Sequence, residues 1–474
     1  MNKSLITLVI ILLLTLIYFY YNEIKANILA SLIIKRGILA PNCYWWKITE
    51  KMISDTNGLE LYDSLKKYNQ PFVKVNFLGQ DTYVVIDPQY IKIILDQSPD
   101  IFGPGNLKYN LFKTFMPKNI GISSGCPWRL NRLNNENTLF SETLHPYYQH
   151  YHHLIEKLMK NNLPKNFGQF QTLAKKITML IVFNDQYNND DIFKYLSQAN
   201  SLQAVAFSYS SINPTIHQSN INYYFDQIRS PKKFSLVELA VKSYTSQSNH
   251  INTNQINIDS VCNTIKNFGN IFDEIISQIP HWIFPVVGLT AVNVPRILTM
   301  LCNHPEVFKK LIDNINSIPN INDAKQIYDS KYLRYCILET LRLNNPVTTT
   351  FRLLLFDYQL AQYSFNKGDQ FLILNGPFLR DSKAIQYPNR YIPERWNEQM
   401  EKSYYTLIFG QGPQRCPGKE FSILIIQLVL VNYFKYSNIL NFGPQILKCS
   451  YKVDPLNIPQ MFNPCNLHFS VDHI

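Results

Sequence analysis

The chain of 474 residues has few of the features that mark several common protein classes. It has only 16 glycines, which excludes a glycine-rich repeat or linker protein. None of its eight cysteines forms a C-x-x-C pair or a cluster at zinc-ligand spacing, which argues against a zinc ribbon or a thioredoxin-like site. The net charge is +11, but basic residues form no run interleaved with aromatics, so nucleic acid is not an expected partner. A membrane surface or an acidic protein partner explains the charge better.

The N-terminus begins with an uncharged stretch, 5–21, that ends in four aromatic residues. Its length lies at the short end of the transmembrane range, and no small-residue cleavage site follows it. We therefore expect an uncleaved single-pass transmembrane anchor at 1–24, a membrane-proximal segment at 25–59 and a main body at 60–474. Lys25, Lys35 and Arg36 favour a cytosolic main body, as for anchored proteins of the endoplasmic reticulum.

Hydrophobic patterning predicts one large, mostly helical domain with small β-sheets. Alternating runs around Gly79-Gln80 predict a hairpin, and Asp87-Pro88 then predicts the start of a helix. Helical patterns occupy much of 128–345, and a second alternating segment, 352–374, turns at Lys367-Gly368. A strongly apolar stretch, 418–433, predicts a buried helix. No linker rich in Pro, Gly or Ser divides the chain.

Cys416 differs from the other cysteines in its surroundings. It follows a loop with glycine at Gly412 and precedes another at Gly418, and Arg415 is adjacent. We expect Pro417 to open a helix whose dipole favours the thiolate, which suits a nucleophile or a metal ligand. The simpler interpretation, a buried core cysteine, is expected for the other seven: Cys43, Cys126, Cys262, Cys302, Cys336, Cys449 and Cys465.

Four segments together resemble the cytochrome P-450 family. Phe409, Gly412, Cys416 and Gly418 match that family's haem-binding signature at the right offsets. Three further segments match in the family's order: Trp128 to Arg132, Glu339-Thr340-Leu341-Arg342 and Pro393-Glu394-Arg395-Trp396. The resemblance extends from about residue 60 to the C-terminus and implies the cytochrome P-450 fold, mostly α with small β-sheets.

The resemblance also implies roles for these residues and a set of partners. Cys416 would be the axial ligand of the iron of haem b (iron protoporphyrin IX) and thereby catalytic. Trp128, Arg132 and Arg352 would bind the haem propionates, Phe409 would pack near the ring, and Gly412 and Gly418 would shape the loop. Glu339, Arg342 and Arg395 would interlock as a structural group. The implied partners are a lipophilic small molecule, O₂, a membrane and a separate electron donor.

Two departures from the family pattern bear on the chemistry. Gln414 stands where the family has Arg or His, and glutamine can bind a propionate but cannot neutralise it. Gly288 and Leu289 stand where the central helix usually carries an acid and an alcohol. Thr290 and Asn293 are therefore the candidate proton-delivering residues. The alternative is that both bond backbone carbonyls freed by Pro295.

These observations leave three functional hypotheses. The first is a membrane-anchored haem-thiolate monooxygenase that inserts one oxygen atom from O₂ into a sterol, fatty acid or terpenoid. The second is a peroxide or endoperoxide isomerase or dehydratase of the same fold, which needs no electron donor. The third is a haem-binding membrane protein without turnover.

Overall fold

The computed structural model describes residues 59–77, 80–106, 108–109, 113, 116–139, 145–185, 214–250, 271–347, 349–458 and 467–472. The predicted anchor, 1–24, lies outside the described residues, as does all but the last residue of the predicted membrane-proximal segment, 25–59. Within the described ranges, one helical stretch, from Ile271 to Cys302, is long and apolar enough to cross a membrane. Most of that stretch is buried against the rest of the fold, as in the core helix of a globular domain.

Helices make up most of the described chain, which confirms the predicted fold class. In chain order they are α1 Leu59–Lys66, α2 Pro88–Asp96, α3 Gly125–Leu139, α4 His145–Met159, α5 Phe167–Phe183, α6 Pro214–Arg229, α7 Leu236–His250, α8 Ile271–Gly288, α9 Val294–Cys302, α10 Pro305–Asn316, α11 Ala324–Tyr328, α12 Lys331–Leu343, α13 Asn375–Phe378, α14 Glu398–Glu401, α15 Lys419–Tyr436 and α16 Ile439–Phe442. A π-helical segment, Leu289–Asn293, joins α8 to α9. Short 3₁₀ turns occur at Pro393–Arg395, Leu407–Phe409 and Pro444–Ile446.

The strands form one five-stranded sheet and two hairpins. They are β1 Phe72–Phe77, β2 Gln80–Val85, β3 Phe102–Pro104, β4 Thr349–Leu354, β5 Tyr358–Leu360, β6 Tyr363–Phe365, β7 Gln370–Leu374, β8 Leu447–Cys449 and β9 Phe469–Val471. The large sheet has the order β1-β2-β7-β4-β3. The predicted hairpin is confirmed as β1 and β2, with Phe77 opposite Gln80. The second alternating segment contains four strands rather than two, because β5 and β6 form a small hairpin of their own.

Local sequence signals explain where several helices begin. The predicted start of α2 is confirmed, since Asp87 caps it by accepting a hydrogen bond from the Gln89 N–H and Pro88 occupies the first turn. The apolar stretch at 418–433 forms α15, whose residues 421–434 are all buried. A helix that is apolar on every side needs protein on every side, so α15 lies in the centre of the helical core.

Two hydrophobic clusters hold the domain together. The larger one lies among the helices and includes nearly the whole of α15. The smaller one surrounds the five-stranded sheet and includes side chains of α1 and α2. The loop that carries Cys416 connects the two clusters, since Leu407 belongs to the sheet cluster and Phe421 to the helical one.

Candidate active site

The loop 409–418 is folded around Cys416 by backbone contacts. The Cys416 N–H donates to the Phe409 carbonyl over 2.7 Å, which closes the loop. Gly410 and Gly412 have φ of +69° and +73°, a region that glycine occupies without strain. The Gly418 N–H donates to the Cys416 sulfur. The sulfur is therefore held at a fixed position with one backbone donor.

Pro417 does not open the following helix, so that prediction is wrong. Helix α15 begins at Lys419, with Gly418 at its cap. Because the Gly418 N–H is directed at the sulfur, the backbone between Cys416 and Gly418 stays outside the helix. The cysteine thus precedes the helix by two more residues than expected.

The chain alone does not favour the thiolate. Burial raises the pKa of the Cys416 thiol above its usual value. The Gly418 N–H and the charges of Arg132, Lys419 and Lys108 lower that pKa, but by less than burial raises it. Burial therefore outweighs these contributions, and binding to a metal ion would deprotonate this sulfur.

Gly412 is the loop position at which a side chain fits least well. A Cβ there would lie 2.3 Å from the Leu95 carbonyl oxygen at the end of α2. A positive φ alone costs a residue other than glycine about 1–2 kcal/mol. We expect Gly412→Ala to lower the free energy of unfolding by more than this, which would appear as a fall in the thermal unfolding midpoint. Gly368→Ala is the matched control, because Gly368 has φ of +93° but open space around it. Equal losses in the two variants would show that the contact with Leu95 is unimportant.

Trp128 and Arg132 both lie on α3, one turn apart, and both are buried. The Arg132 guanidinium donates to the Arg415 carbonyl, so it reaches the cysteine loop. It also forms an ion pair with Glu136 over 2.7 Å. Glu136 was not predicted, although its i,i+4 spacing from Arg132 is visible in the sequence. The positive charge of Arg132 is therefore largely balanced within the chain.

Arg352 lies on β4, an inner strand between β7 and β3. Its guanidinium donates to Ser98 Oγ and to the Phe351 carbonyl, both over 2.9 Å. Among the described residues no carboxylate pairs with it. Burial lowers the pKa of Arg352 to about 10, and no anion among the described residues balances this buried cation. Gln414 is half-buried in the same loop as Cys416.

In the C-terminal half of α8, solvent still reaches His281, Pro285, Val287 and Gly288. Of these, His281, Pro285 and Gly288 are spaced at one-turn intervals and lie on one face of the helix. Lys108 and Arg132 are close enough to His281 to help burial lower its pKa to about 4, so His281 is neutral at pH 7. Lys108 in turn lies near Arg352 and Cys416. These electrostatic effects place the face of α8 near Lys108 and Arg132, and through Lys108 near the cysteine loop.

Thr290 and Asn293 lie in the π-helical segment, which packs on α5 and α15. Both side chains are buried, and the Thr290 hydroxyl and the Asn293 carbonyl oxygen have no hydrogen-bond partner among the described residues. The alternative interpretation proposed that the Thr290 hydroxyl bonds a carbonyl freed by Pro295. The structure shows no such bond. Gly288 and Val292, which flank Thr290, are partly accessible while Thr290 is not. A role for Thr290 or Asn293 in proton delivery stays a prediction.

Glu339, Arg342 and Arg395 meet in the core beneath the cysteine loop. Arg342 donates two hydrogen bonds of 2.9 Å to the two Glu339 oxygens, and Arg395 donates a third of 3.0 Å. Burial alone would raise the pKa of Glu339, but these guanidiniums hold it below its usual value. Trp396, whose part was not predicted, donates its indole N–H to the same carboxylate. Arg342 also donates to the Leu379 and Pro388 carbonyls, so the group ties α12 to the chain that leads into the loop.

The described residues suit a flat, anionic group that binds a metal. A buried thiol with one backbone donor provides a single soft ligand. Beside it lie Arg352 and Lys108, two cations with no carboxylate partner among the described residues. Haem would fit this combination, since it would bring an iron that Cys416 could bind and two propionate carboxylates.

Comparison with known proteins identifies the family. A family model described as cytochrome P-450 matches residues 41–436. The chain belongs to the cytochrome P-450 family. Members of this family are haem-thiolate monooxygenases, so the predictions of an oxidoreductase and of a haem cofactor are confirmed at the level of the family. The match begins inside the segment predicted to be membrane-proximal.

Individual relatives are distant from this cytochrome P-450. Cytochrome P-450 3A15 of Cavia porcellus is 24% identical over 388 residues, 74% of this chain and 75% of that protein. Cytochrome P-450 71A27 of Arabidopsis thaliana is 37% identical over 172 residues, 34% of each chain. The 24-hydroxycholesterol 7-alpha-hydroxylase of Mus musculus is 26% identical over 217 residues, 40% of this chain and 43% of that one.

A solved structure supports the fold. The crystal structure of P450BioI in complex with hexadec-9Z-enoic acid ligated acyl carrier protein superposes with a TM-score of 0.61 at 15% identity. The match covers 88% of this chain and 99% of that one. At this identity the comparison establishes the fold and nothing more specific.

Proposed function

We propose that the protein is a membrane-anchored haem-thiolate monooxygenase that inserts one oxygen atom from O₂ into a lipophilic substrate of the sterol, fatty acid or terpenoid class. The observation that carries the proposal is the Cys416 loop, whose sulfur accepts the Gly418 N–H in a protein of this family. Haem b, when bound, supplies the activation of O₂. The side chains of the protein hold the cofactor, exclude water and position the substrate.

The proposed roles of the residues follow their positions. Cys416 would be the axial ligand, and Phe409 and Gly412 would shape its loop. Trp128, Arg132 and Arg352 would bind the propionates, although Arg132 already pairs with Glu136. His281, Pro285 and Gly288 would line the side of the pocket formed by α8, which is largely apolar because His281 is neutral at pH 7.

An electron donor would dock beside Cys416. A cavity of about 720 Å³ lies against the loop, with Cys416 and Phe409 in its wall. The cations that line it are Arg132, Lys402, Arg415 and Lys419, and the anions are Glu136, Glu401 and Glu420. Lys402 and Arg415 are exposed, so a donor with an acidic face, such as a reductase or a small redox protein, would pair with them.

The membrane assignment rests on the sequence of residues 1–24. We propose that they anchor the protein as a single pass and leave the haem domain in the cytosol, as in the endoplasmic reticulum. The full chain should then stay in the membrane pellet after extraction at alkaline pH, and a chain that lacks residues 1–24 should be released at least in part. Release of the full chain by the same treatment would contradict the anchor.

Labelled oxygen tests the proposed reaction. The full chain, with a reductase and NADPH, is incubated under ¹⁸O₂ with cholesterol, palmitic acid and a pentacyclic triterpene. We expect one ¹⁸O atom in a product of at least one of these substrates, and none without NADPH. These three compounds represent the proposed substrate classes. A product that takes its label from H₂¹⁸O and not from ¹⁸O₂ would contradict the insertion of oxygen from O₂.

One observation favours a second candidate, a peroxide isomerase or dehydratase. The described accessible positions around the expected acid–alcohol pair are Pro285, Val287, Gly288 and Val292, and none of them offers a proton-donating side chain. Such an enzyme would convert a fatty-acid hydroperoxide without NADPH or reductase. Conversion under those conditions, combined with no ¹⁸O incorporation, would select this candidate over the monooxygenase.

A further inference from the structure

Lys108 is a cation of the site that the sequence motifs do not include. It lies in the segment between β3 and α3, and solvent reaches its side chain. Nevertheless, burial and, to a smaller extent, the charge of Arg352 lower the pKa of Lys108 to about 8. Cys416 is close enough to Lys108 to oppose this shift, so the lysine lies near the cysteine.

The position of Lys108 is fixed by a turn that is bonded to α8. A Cβ on Gly121 would lie 3.4 Å from Lys108 Nζ and 3.6 Å from its Cε, so the lysine lies along the turn 119–121. Asn119 Nδ2 donates to the Ser277 carbonyl over 3.0 Å and to Gln278 Oε1 over 3.1 Å. The Ile120 N–H donates to the same Gln278 oxygen. This turn therefore holds the lysine next to α8, one turn before His281.

Two of the cations near Cys416 are not balanced by any carboxylate among the described residues. Arg132 is paired with Glu136, and Gln414 is neutral. Neither Lys108 nor Arg352 has a carboxylate partner among the described residues. Two unbalanced cations in a buried site are costly unless an anionic ligand is present. Haem would bring two carboxylates, those of its propionates.

We propose that Lys108 binds a haem propionate and supplies the positive charge that Gln414 lacks. The proposal rests on the proposed binding of haem. In this arrangement Arg352 and Lys108 are the two cations that balance the propionates, while Arg132 contributes mainly hydrogen bonds. The chain thus holds the cofactor from the segment before α3 rather than from the cysteine loop alone. A fatty-acid substrate could also provide a carboxylate, so the experiment separates the two sources.

The test measures haem release from the full chain in detergent, by transfer to excess apomyoglobin. We expect Lys108→Met to release haem about tenfold faster than the natural protein, since one charge-assisted contact is lost. Its midpoint reduction potential should also fall, because a cation near the iron favours the reduced state. Lys108→Arg should stay close to the natural rate. Lys113→Met is the matched control, an exposed lysine of the same segment, and should have no effect.

A second substitution tests the compensation. Gln414→Arg should slow haem release from the Lys108→Met variant to near the natural rate, and should have a smaller effect where Lys108 is present. The proposal is overturned if Lys108→Met releases haem at the natural rate, or if Gln414→Arg does not restore retention. It is also overturned if Lys108→Met weakens palmitate binding without altering haem release, which would assign the lysine to substrate. Absence of haem from the natural protein would instead overturn the proposed function itself.

Discussion

Glu339→Gln is expected to lower the free energy of unfolding by about 3–5 kcal/mol. The substitution keeps the shape of the side chain but removes the charge that balances two guanidiniums. Arg342 is fully buried and Arg395 nearly so, and both donate to Glu339. Without the carboxylate, each remains as a buried cation with only carbonyl oxygens and a neutral amide for partners. The loss should appear as a large fall in the thermal unfolding midpoint, followed by far-UV circular dichroism.

The matched control is Glu398→Gln. Glu398 pairs with Lys402 over 3.9 Å on α14, and both side chains are almost completely exposed. An exposed pair contributes little to stability, so this variant should unfold at nearly the natural midpoint. If Glu339→Gln and Glu398→Gln have the same unfolding midpoint, the buried group of Glu339, Arg342 and Arg395 does not hold α12 to the chain before the cysteine loop.

The same glutamate makes the protein sensitive to acid. Its pKa in the folded protein is lower than in the unfolded chain, because Arg342 and Arg395 favour the charged form. The stabilisation is therefore present at neutral pH and is lost as the pH falls through the folded-state pKa. Glu339→Gln should accordingly flatten the acid limb of the stability profile.

Cys416→Ala is expected to abolish the thiolate-type spectrum of the haem-bound protein. Alanine provides no ligand for the iron, and none of the other described cysteines can replace it. Cys302 and Cys449 lie near each other at α9 and β8, and Cys336 lies against Tyr391. Of the cysteine side chains that the structure describes, Cys416 alone is near Arg132 and Lys108.

Cys449→Ala and Cys336→Ala are the controls for this prediction. Both cysteines are buried and free, so these variants test whether the loss of any core thiol alters the spectrum. We expect both to keep the natural spectrum. Loss of the signal in either control, or its persistence in Cys416→Ala, would remove Cys416 from the metal site.

The sequence was sufficient to predict the parts of the fold that depend on neighbouring residues. The β1–β2 hairpin follows from alternation around a turn, and the start of α2 follows from a cap and a proline. The meeting of Glu339, Arg342 and Arg395 could be expected only because three ordered motifs resemble those of one family. Composition and periodicity alone do not bring residues 56 positions apart into contact.

The features that the sequence did not predict depend on tertiary placement. Lys108 has no motif around it, and its role depends on the turn at 119–121 being bonded to α8. The π-helical segment between α8 and α9 was also not predicted, although Pro285 and Pro295 indicate a disturbed helix. The helix start at Lys419 depends on the Gly418 N–H being directed at sulfur, a contact that a sequence pattern does not reveal.

The most direct test of the central claim is the carbon monoxide difference spectrum of the reduced full chain. Cys416 as the axial thiolate ligand of haem predicts a strongly red-shifted Soret band. The band should disappear in Cys416→Ala and persist in Cys449→Ala. A Soret band at the position typical of histidine-bound haem, or no haem spectrum at all, would contradict the assignment of Cys416 and the function proposed from it.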